Sequence, residues 1–220
     1  MRWALRSAYG LLAVVVGGTL AFAIFQPVKV LPRISLAPSL WLTNQDQRSL
    51  TSETLRGQIV LYNFTYTRCG ERCAAQTSVL RALQQQLADL NTGSVPVRLV
   101  TISFDADHDT PAVLRGFAAG VGADPGQWEF ATGDAAALKR AVGGGFQVYY
   151  AQAPDGGFEF DPALVLVDGW GIIRAEYRTA APALDRLLRD IRLVAEEASN
   201  SAGVGRYAYE AAHLFLCYAR

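Results

Sequence analysis

The chain has no net charge. Twenty basic and twenty acidic side chains cancel over 220 residues, so no overall field draws it toward nucleic acid or an acidic membrane surface. It also lacks a P-loop, a dinucleotide-binding fingerprint, an internal repeat and any long low-complexity tract, and those classes are set aside. The aromatic residues have no interleaved basic stripe, which excludes a base-stacking platform for single-stranded nucleic acid. Histidine is nearly absent, His108 and His213 being the only two, and cysteine is limited to Cys69, Cys73 and Cys217. Partner choice must therefore come from a local site. About half the residues are apolar, enough for one well-packed domain with extra segments.

The longest apolar run is Ala8 to Phe25, uncharged throughout and preceded by Arg2 and Arg6. As a helix, its eighteen residues rise about 27 Å, roughly the hydrocarbon thickness of a bilayer. The short basic N-terminus favours a cytoplasmic start, which places the remainder outside. Ala21-Phe22-Ala23 also has the small-x-small pattern of a signal-peptidase site, so the run reads either as a retained anchor or as a removed signal. Both export the domain. The expected organisation is a cytoplasmic stub over 1–7, a transmembrane anchor or signal over 8–25, a proline-bearing linker over 26–41, a globular domain over 42–198 and a tail over 199–220. That is a single-pass inner-membrane protein with its domain in the periplasm or an equivalent space.

Within the domain, Ile59 to Thr65 and Val97 to Phe104 are short, β-branched and aromatic runs that predict buried strands. Between them, Ala74 to Leu90 carries Val79, Leu80, Leu83 and Leu87 at helical spacing, completing a β-α-β unit. Asp109-Thr110-Pro111 is a polar cap with proline in the first turn, and predicts a helix to about Val121. A shorter helix is predicted from Asp134 to Gly143–Gly145. Ala163 to Val167 and Ile172 to Arg178, split by Asp168-Gly169-Trp170-Gly171, predict a hairpin. A last helix spans Ala183 to Ala195. This order is that of an α/β, thioredoxin-like fold, a mixed central sheet flanked by helices, with an N-terminal transmembrane helix.

Cys69 and Cys73 fall between the first strand and its helix. Their i, i+4 spacing on a helix puts the α-carbons about 6 Å apart, within disulfide reach. A helix N-terminus and Arg72 favour the thiolate, while Glu71 opposes it. The pair suits thiol exchange or metal chelation, provided that visiting molecules can reach it. The alternative is an inert staple, although so short a loop stabilises little.

Three stretches, LTNQDQRSLTSETLRGQIVLYNFTYTRCGERC from Leu42, TISFDADHDTPAVLRGFA from Thr101 and LVLVDGWGIIRAEY from Leu164, resemble the SCO/SenC family of cytochrome oxidase assembly proteins. The resemblance implies a thioredoxin-like domain on a membrane anchor that assists assembly of a dinuclear copper centre. It also implies copper bound by two thiolates, here Cys69 and Cys73, and one histidine. This sequence departs at two places. Gly70 stands where the family usually has proline, which loosens the turn. The family's histidine position falls on Phe160, or on Asp161 with a one-residue shift. His108 is the weak candidate for a third ligand, and Cys217 and His213 are weaker ones.

Pro162 lies six residues before Asp168, where thioredoxin-like oxidoreductases carry a cis-proline opposite the cysteines. A cis bond there would favour disulfide exchange with a substrate peptide, and a trans bond would make Pro162 an ordinary edge-strand proline. Three functions follow. The first is an assembly factor for a copper-containing oxidase, acting through thiol-disulfide exchange with copper delivery beside it, as oxidoreductase or metallochaperone, on an oxidase subunit or its thiol-containing partners. The second is a general TlpA-type oxidoreductase with Cys69 attacking and Cys73 resolving. The third is a non-catalytic accessory subunit of a membrane complex.

Overall fold

The computed structural model describes residues 2–25, 28–201, 203 and 205–215. Two compact units divide the chain, Arg33–Ser199 and the paired segments Met1–Pro32 with Asn200–Arg220. In chain order the strands are β1 (Ser35–Leu36), β2 (Trp41–Asn44), β3 (Ser49–Thr51), β4 (Ile59–Thr65), β5 (Val97–Ser103), β6 (Trp128–Thr132), β7 (Tyr150–Gln152), β8 (Phe158–Phe160), β9 (Leu164–Val167) and β10 (Ile172–Tyr177). The helices are α1 (Arg2–Phe25), α2 (Ala74–Leu87), α3 (Pro111–Gly120), α4 (Ala135–Leu138), α5 (Leu184–Asn200) and α6 (Gly205–Phe215).

The central strand β4 is buried at all seven positions, as its unbroken apolar run requires. It pairs in parallel with β5, from Ile59 opposite Val97 to Thr65 opposite Ser103. A parallel pair needs a long crossover, and α2 supplies it, burying Gln76, Leu80, Leu83 and Leu87 on one face. Strand β6 extends the parallel set beyond β5, and β9 and β10 add antiparallel on the other side. The sheet order is β1-β10-β9-β4-β5-β6-β2-β3, with β7 and β8 forming a separate hairpin. This is the expected thioredoxin-like α/β arrangement of mixed sheet and flanking helices.

Several elements differ from expectation. Part of the spacer expected over 26–41 is drawn into the compact unit, because β1 pairs with β10 and Trp41 begins β2. The short helix from Asp134 is capped by that residue, which accepts from Ala137 N at 2.7 Å, but continues past Leu138 as a π-helical segment, Lys139–Gly145. In the other unit, the expected transmembrane run does form the 24-residue helix α1. Among the described residues, however, no helix is long and apolar enough to cross a membrane. The side chains of α1 at 2, 4, 5, 15 and 22–25 lie outside the described residues, so its apolar stretch is only partly represented. The tail forms α6, which contains His213, while Cys217 lies outside the described residues.

Away from the cysteines, Arg174 on β10 is almost fully buried and bridges Asp168 at 3.0 Å and Glu197 at 2.5 Å. Removing it would take the guanidinium from two buried carboxylates, leaving Asp168 with the Trp170 and Ile172 backbone donors and Glu197 with Arg33 at 3.3 Å. Arg174→Ala is expected to cost about 3–5 kcal/mol in denaturant unfolding. Tyr177 donates to Asp190 at 2.7 Å. Burial first, then the Asp190 charge, raises its hydroxyl above the ordinary tyrosine range. Because the folded group resists ionising, its contribution is complete below about pH 10 and fades as the pH climbs through the raised value. Unfolding midpoints measured from pH 8 upward should fall at alkaline pH, and fall less in Tyr177→Phe.

Candidate functional site

The loops after β4 and β5 leave the same edge of the sheet because those neighbouring strands run parallel, the placement that makes such edges binding sites in α/β proteins. The first loop is a 3₁₀ turn, Thr67–Cys73, and α2 begins directly after it with Cys73 as its N-cap. Cys69 and Cys73 are disulfide-bonded with α-carbons 5.8 Å apart. The expected separation is therefore met, but on a tight turn and not on one face of an α-helix. Gly70 explains the difference. Its backbone at φ 62°, ψ −137° interrupts the turn between the two cysteines, a region essentially reserved for glycine. Proline, fixed near φ −65°, cannot adopt this backbone.

Neither cysteine is open to solvent. Cys69 is 7% exposed and Cys73 5%, which departs from the accessible pair that exchange chemistry needs. The Thr65 hydroxyl donates to Cys73 Sγ at 2.9 Å. The Arg72 side chain lies outside the described residues, and Glu71 is exposed.

The second loop grips the first. Asp109 is fully buried, and its Oδ2 accepts from Thr67 N at 2.8 Å and Ser103 Oγ at 2.5 Å. Its Oδ1 accepts from Thr67 Oγ1 at 2.5 Å and faces His108 Nδ1 at 2.8 Å. Arg68 adds a second attachment, donating to Asp105 Oδ2 from Nε at 3.1 Å and Nη2 at 2.6 Å. That hydrogen bond is the main reason the guanidinium holds its proton even more firmly than usual. Sequence reasoning read Asp109 as part of a helix cap. Thr110 alone caps α3, accepting from Val113 N, and Asp109 turns to the cysteine loop. No spacing signal links Thr67 to Asp109. Only the strand pairing brings them together.

His108 is exposed, with Nδ1 3.5 Å from Thr67 Oγ1. Among the described residues, the one group of three or more ligand-type side chains within 4.8 Å of one another is Asp105, His108 and Asp109, and it includes neither cysteine. Phe160 packs in an aromatic cluster, its ring centroid 6.2 Å from Tyr66 and 5.2 Å from Phe104. Tyr66 also accepts from Phe158 N at 3.3 Å. Asp161 is exposed. Pro162 lies beside the site, since the next residue, Ala163, presents its carbonyl to Gln76 Nε2 in the first turn of α2 at 3.2 Å. No cis peptide bond occurs among the described residues, so of the two alternatives at Pro162 the bond is trans, that of an ordinary edge-strand proline.

The SCO1/SenC family pattern matches residues 32–196, three quarters of the chain and nearly the whole of its larger compact unit. The chain belongs to the SCO1/SenC family. A SCO1 protein homolog from Bacillus subtilis (strain 168) is 33% identical over 90 residues, which are 41% of this chain and 45% of that relative. The chain thus spans less than half the length of the curated relatives it matches. Among solved structures, BsSco, a member of the Sco family of cytochrome c oxidase assembly proteins in which a disulfide switch was identified, superposes with a TM-score of 0.65 at 24% identity. That match covers 74% of this chain and 95% of BsSco. Bradyrhizobium japonicum ScoI, solved with copper bound, gives a TM-score of 0.57 at 25% identity, covering 73% and 99% of the two chains.

The backbone at Gly70 gives a direct test of this SCO1/SenC loop. A Cβ there meets nothing within 4 Å, so substitution costs strain and not a clash. Gly70→Ala should destabilise the oxidised chain by about 1–3 kcal/mol, and Gly70→Pro by more, in thermal unfolding of both variants beside the parent.

Proposed function

We propose that this SCO1/SenC protein assists assembly of a copper-containing cytochrome oxidase by thiol-disulfide exchange at Cys69 and Cys73. The observation that carries the reading is the disulfide itself. It closes only a short turn, where cross-linking removes little chain entropy, and it sits at the strand edge where α/β proteins place their chemistry. Such a bond is an uneconomical staple. Once it is reduced, the Thr65 hydroxyl and the positive end of α2 both favour negative charge on the Cys73 sulfur. The reactive partner is a dithiol of the oxidase subunit or of another assembly protein. Helix α1, with Leu11, Leu12 and Val14 exposed, is the proposed single-pass anchor that holds the domain outside the cytoplasm.

Copper carriage on two thiolates and one histidine does not fit the residues present. Phe160, at the family's histidine position, offers an apolar ring engaged with Tyr66 and Phe104, and His108 groups with Asp105 and Asp109 and with neither cysteine. Copper therefore enters this reading as cargo of the partner system and not as a resident group of this chain.

The burial of both cysteines favours one second reading, an inert staple in a non-catalytic accessory subunit. Incubation of the folded chain with a small dithiol separates the two, with the alkylation of Cys69 and Cys73 as the readout. Exchange predicts reduction without unfolding, whereas a staple predicts labelling only in denaturant. For copper, the reduced chain should show no tight Cu(II) site in anaerobic titration, and His108→Ala should change nothing. Phe160→His should gain a site at least tenfold tighter, lost again when Cys69→Ser is added. Tight stoichiometric Cu(II) binding by the unsubstituted chain would defeat the proposal that it is not a resident carrier.

A further inference from the structure

The proposed chemistry needs the Cys69–Cys73 pair in two redox states, and the structure shows what holds the loop Thr67–Cys73 in one of them. A disulfide keeps its sulfurs about 2 Å apart, whereas two thiols require the van der Waals spacing of about 3.5 Å or more. Reduction therefore separates the sulfurs, through rotation of the two side chains or through widening of the turn that carries them. Thr67, two residues before Cys69, is the point at which that widening meets resistance. Its N–H and its hydroxyl are two of the four partners of the Asp109 carboxylate, and that carboxylate is fully buried.

A buried charge tolerates the loss of hydrogen-bond donors poorly. If Thr67 moves outward, Asp109 retains only Ser103 Oγ and His108 Nδ1. Ser103 ends β5 and is itself buried, so the carboxylate cannot follow the departing loop. The Arg68 contact to Asp105 pulls the same segment toward the same loop. The loop after β5 thus favours the closed and oxidised turn over the widened one.

We infer that Asp109 is a positioning residue for the thiol-disulfide reaction, setting the reduction potential of the Cys69–Cys73 pair through its grip on Thr67. This rests on the exchange reading above and names its regulation. The step it governs is balanced: an external dithiol is oxidised to its own disulfide, the bond between the two sulfurs breaks, and both electrons and both protons pass to Cys69 and Cys73. Asp109 exchanges neither proton nor electron in it.

The test is redox equilibration of the full chain in detergent with graded mixtures of a small dithiol and its disulfide, counting alkylated Cys69 and Cys73 by mass. Asp109→Asn should lower the equilibrium constant for forming the disulfide about tenfold, which for a two-electron couple is about 30 mV toward easier reduction. Thr67→Val, which removes only the hydroxyl contact, should move it the same way by less. A merely structural role is separated by thermal unfolding of each variant in both redox states. The inference requires Asp109→Asn to destabilise the oxidised form more than the reduced form. A constant within twofold of the parent, or equal destabilisation of the two forms, overturns it. If the parent pair cannot be reduced while folded, the exchange reading fails together with this one, whereas a reducible pair with an unmoved constant removes only this one.

Discussion

The parallel pairing of β4 with β5 is the constraint on which the rest of the molecule depends. Seven residues of one strand lie in register with seven of the other, so both chains leave the sheet at the same edge, one into Thr67–Cys73 and the other into Asp105–Asp109. An antiparallel pair would have sent the two loops to opposite ends. The disulfide and the buried carboxylate meet because of that direction, and the crossover through α2 enforces it. Cys73, as the residue heading α2, belongs at once to the crossover and to the disulfide-bonded turn.

Much of this fold was legible because its signals are local. The apolar run of β4, the helical spacing of α2, the Thr110-Pro111 start of α3 and the Asp168–Gly171 turn each state their structure within a few residues. What escaped notice is held by distant partners. Strand β2 takes its place against β6 and β3, and the four residues Trp41–Asn44 carry no pattern that announces a strand. The β7–β8 hairpin is three residues a side, below the length at which alternation can be counted. The π-helical continuation at Lys139–Gly145 depends on packing, since its glycines read from sequence as a stop.

The site was legible in its cysteines and largely silent elsewhere. Cys69 and Cys73 are marked by spacing, and the structure joins them at the separation expected. Their burial, by contrast, comes with membership of the same buried cluster as Tyr66, Phe104 and Phe158, which lie far apart in the chain. The role of Asp109 was hidden by a plausible local alternative, since an aspartate before Thr-Pro looks like a cap. Phe160 was identifiable as a replacement for histidine only through the family resemblance. That its ring belongs to the cluster against the cysteine loop required coordinates.

A sulfur pair as buried as this one would, if it exchanges as proposed, have a kinetic signature that an open one lacks. On that reading an attacking thiolate would have to wait for the site to open, so at high attacker concentration the rate of exchange would saturate at the rate of opening and cease to depend on nucleophile strength. The same burial would shield the bonded sulfurs from peroxide and other small oxidants, and so from the irreversible rungs of the oxidation ladder. Fidelity would then be set by which partner stays docked long enough to catch the site open.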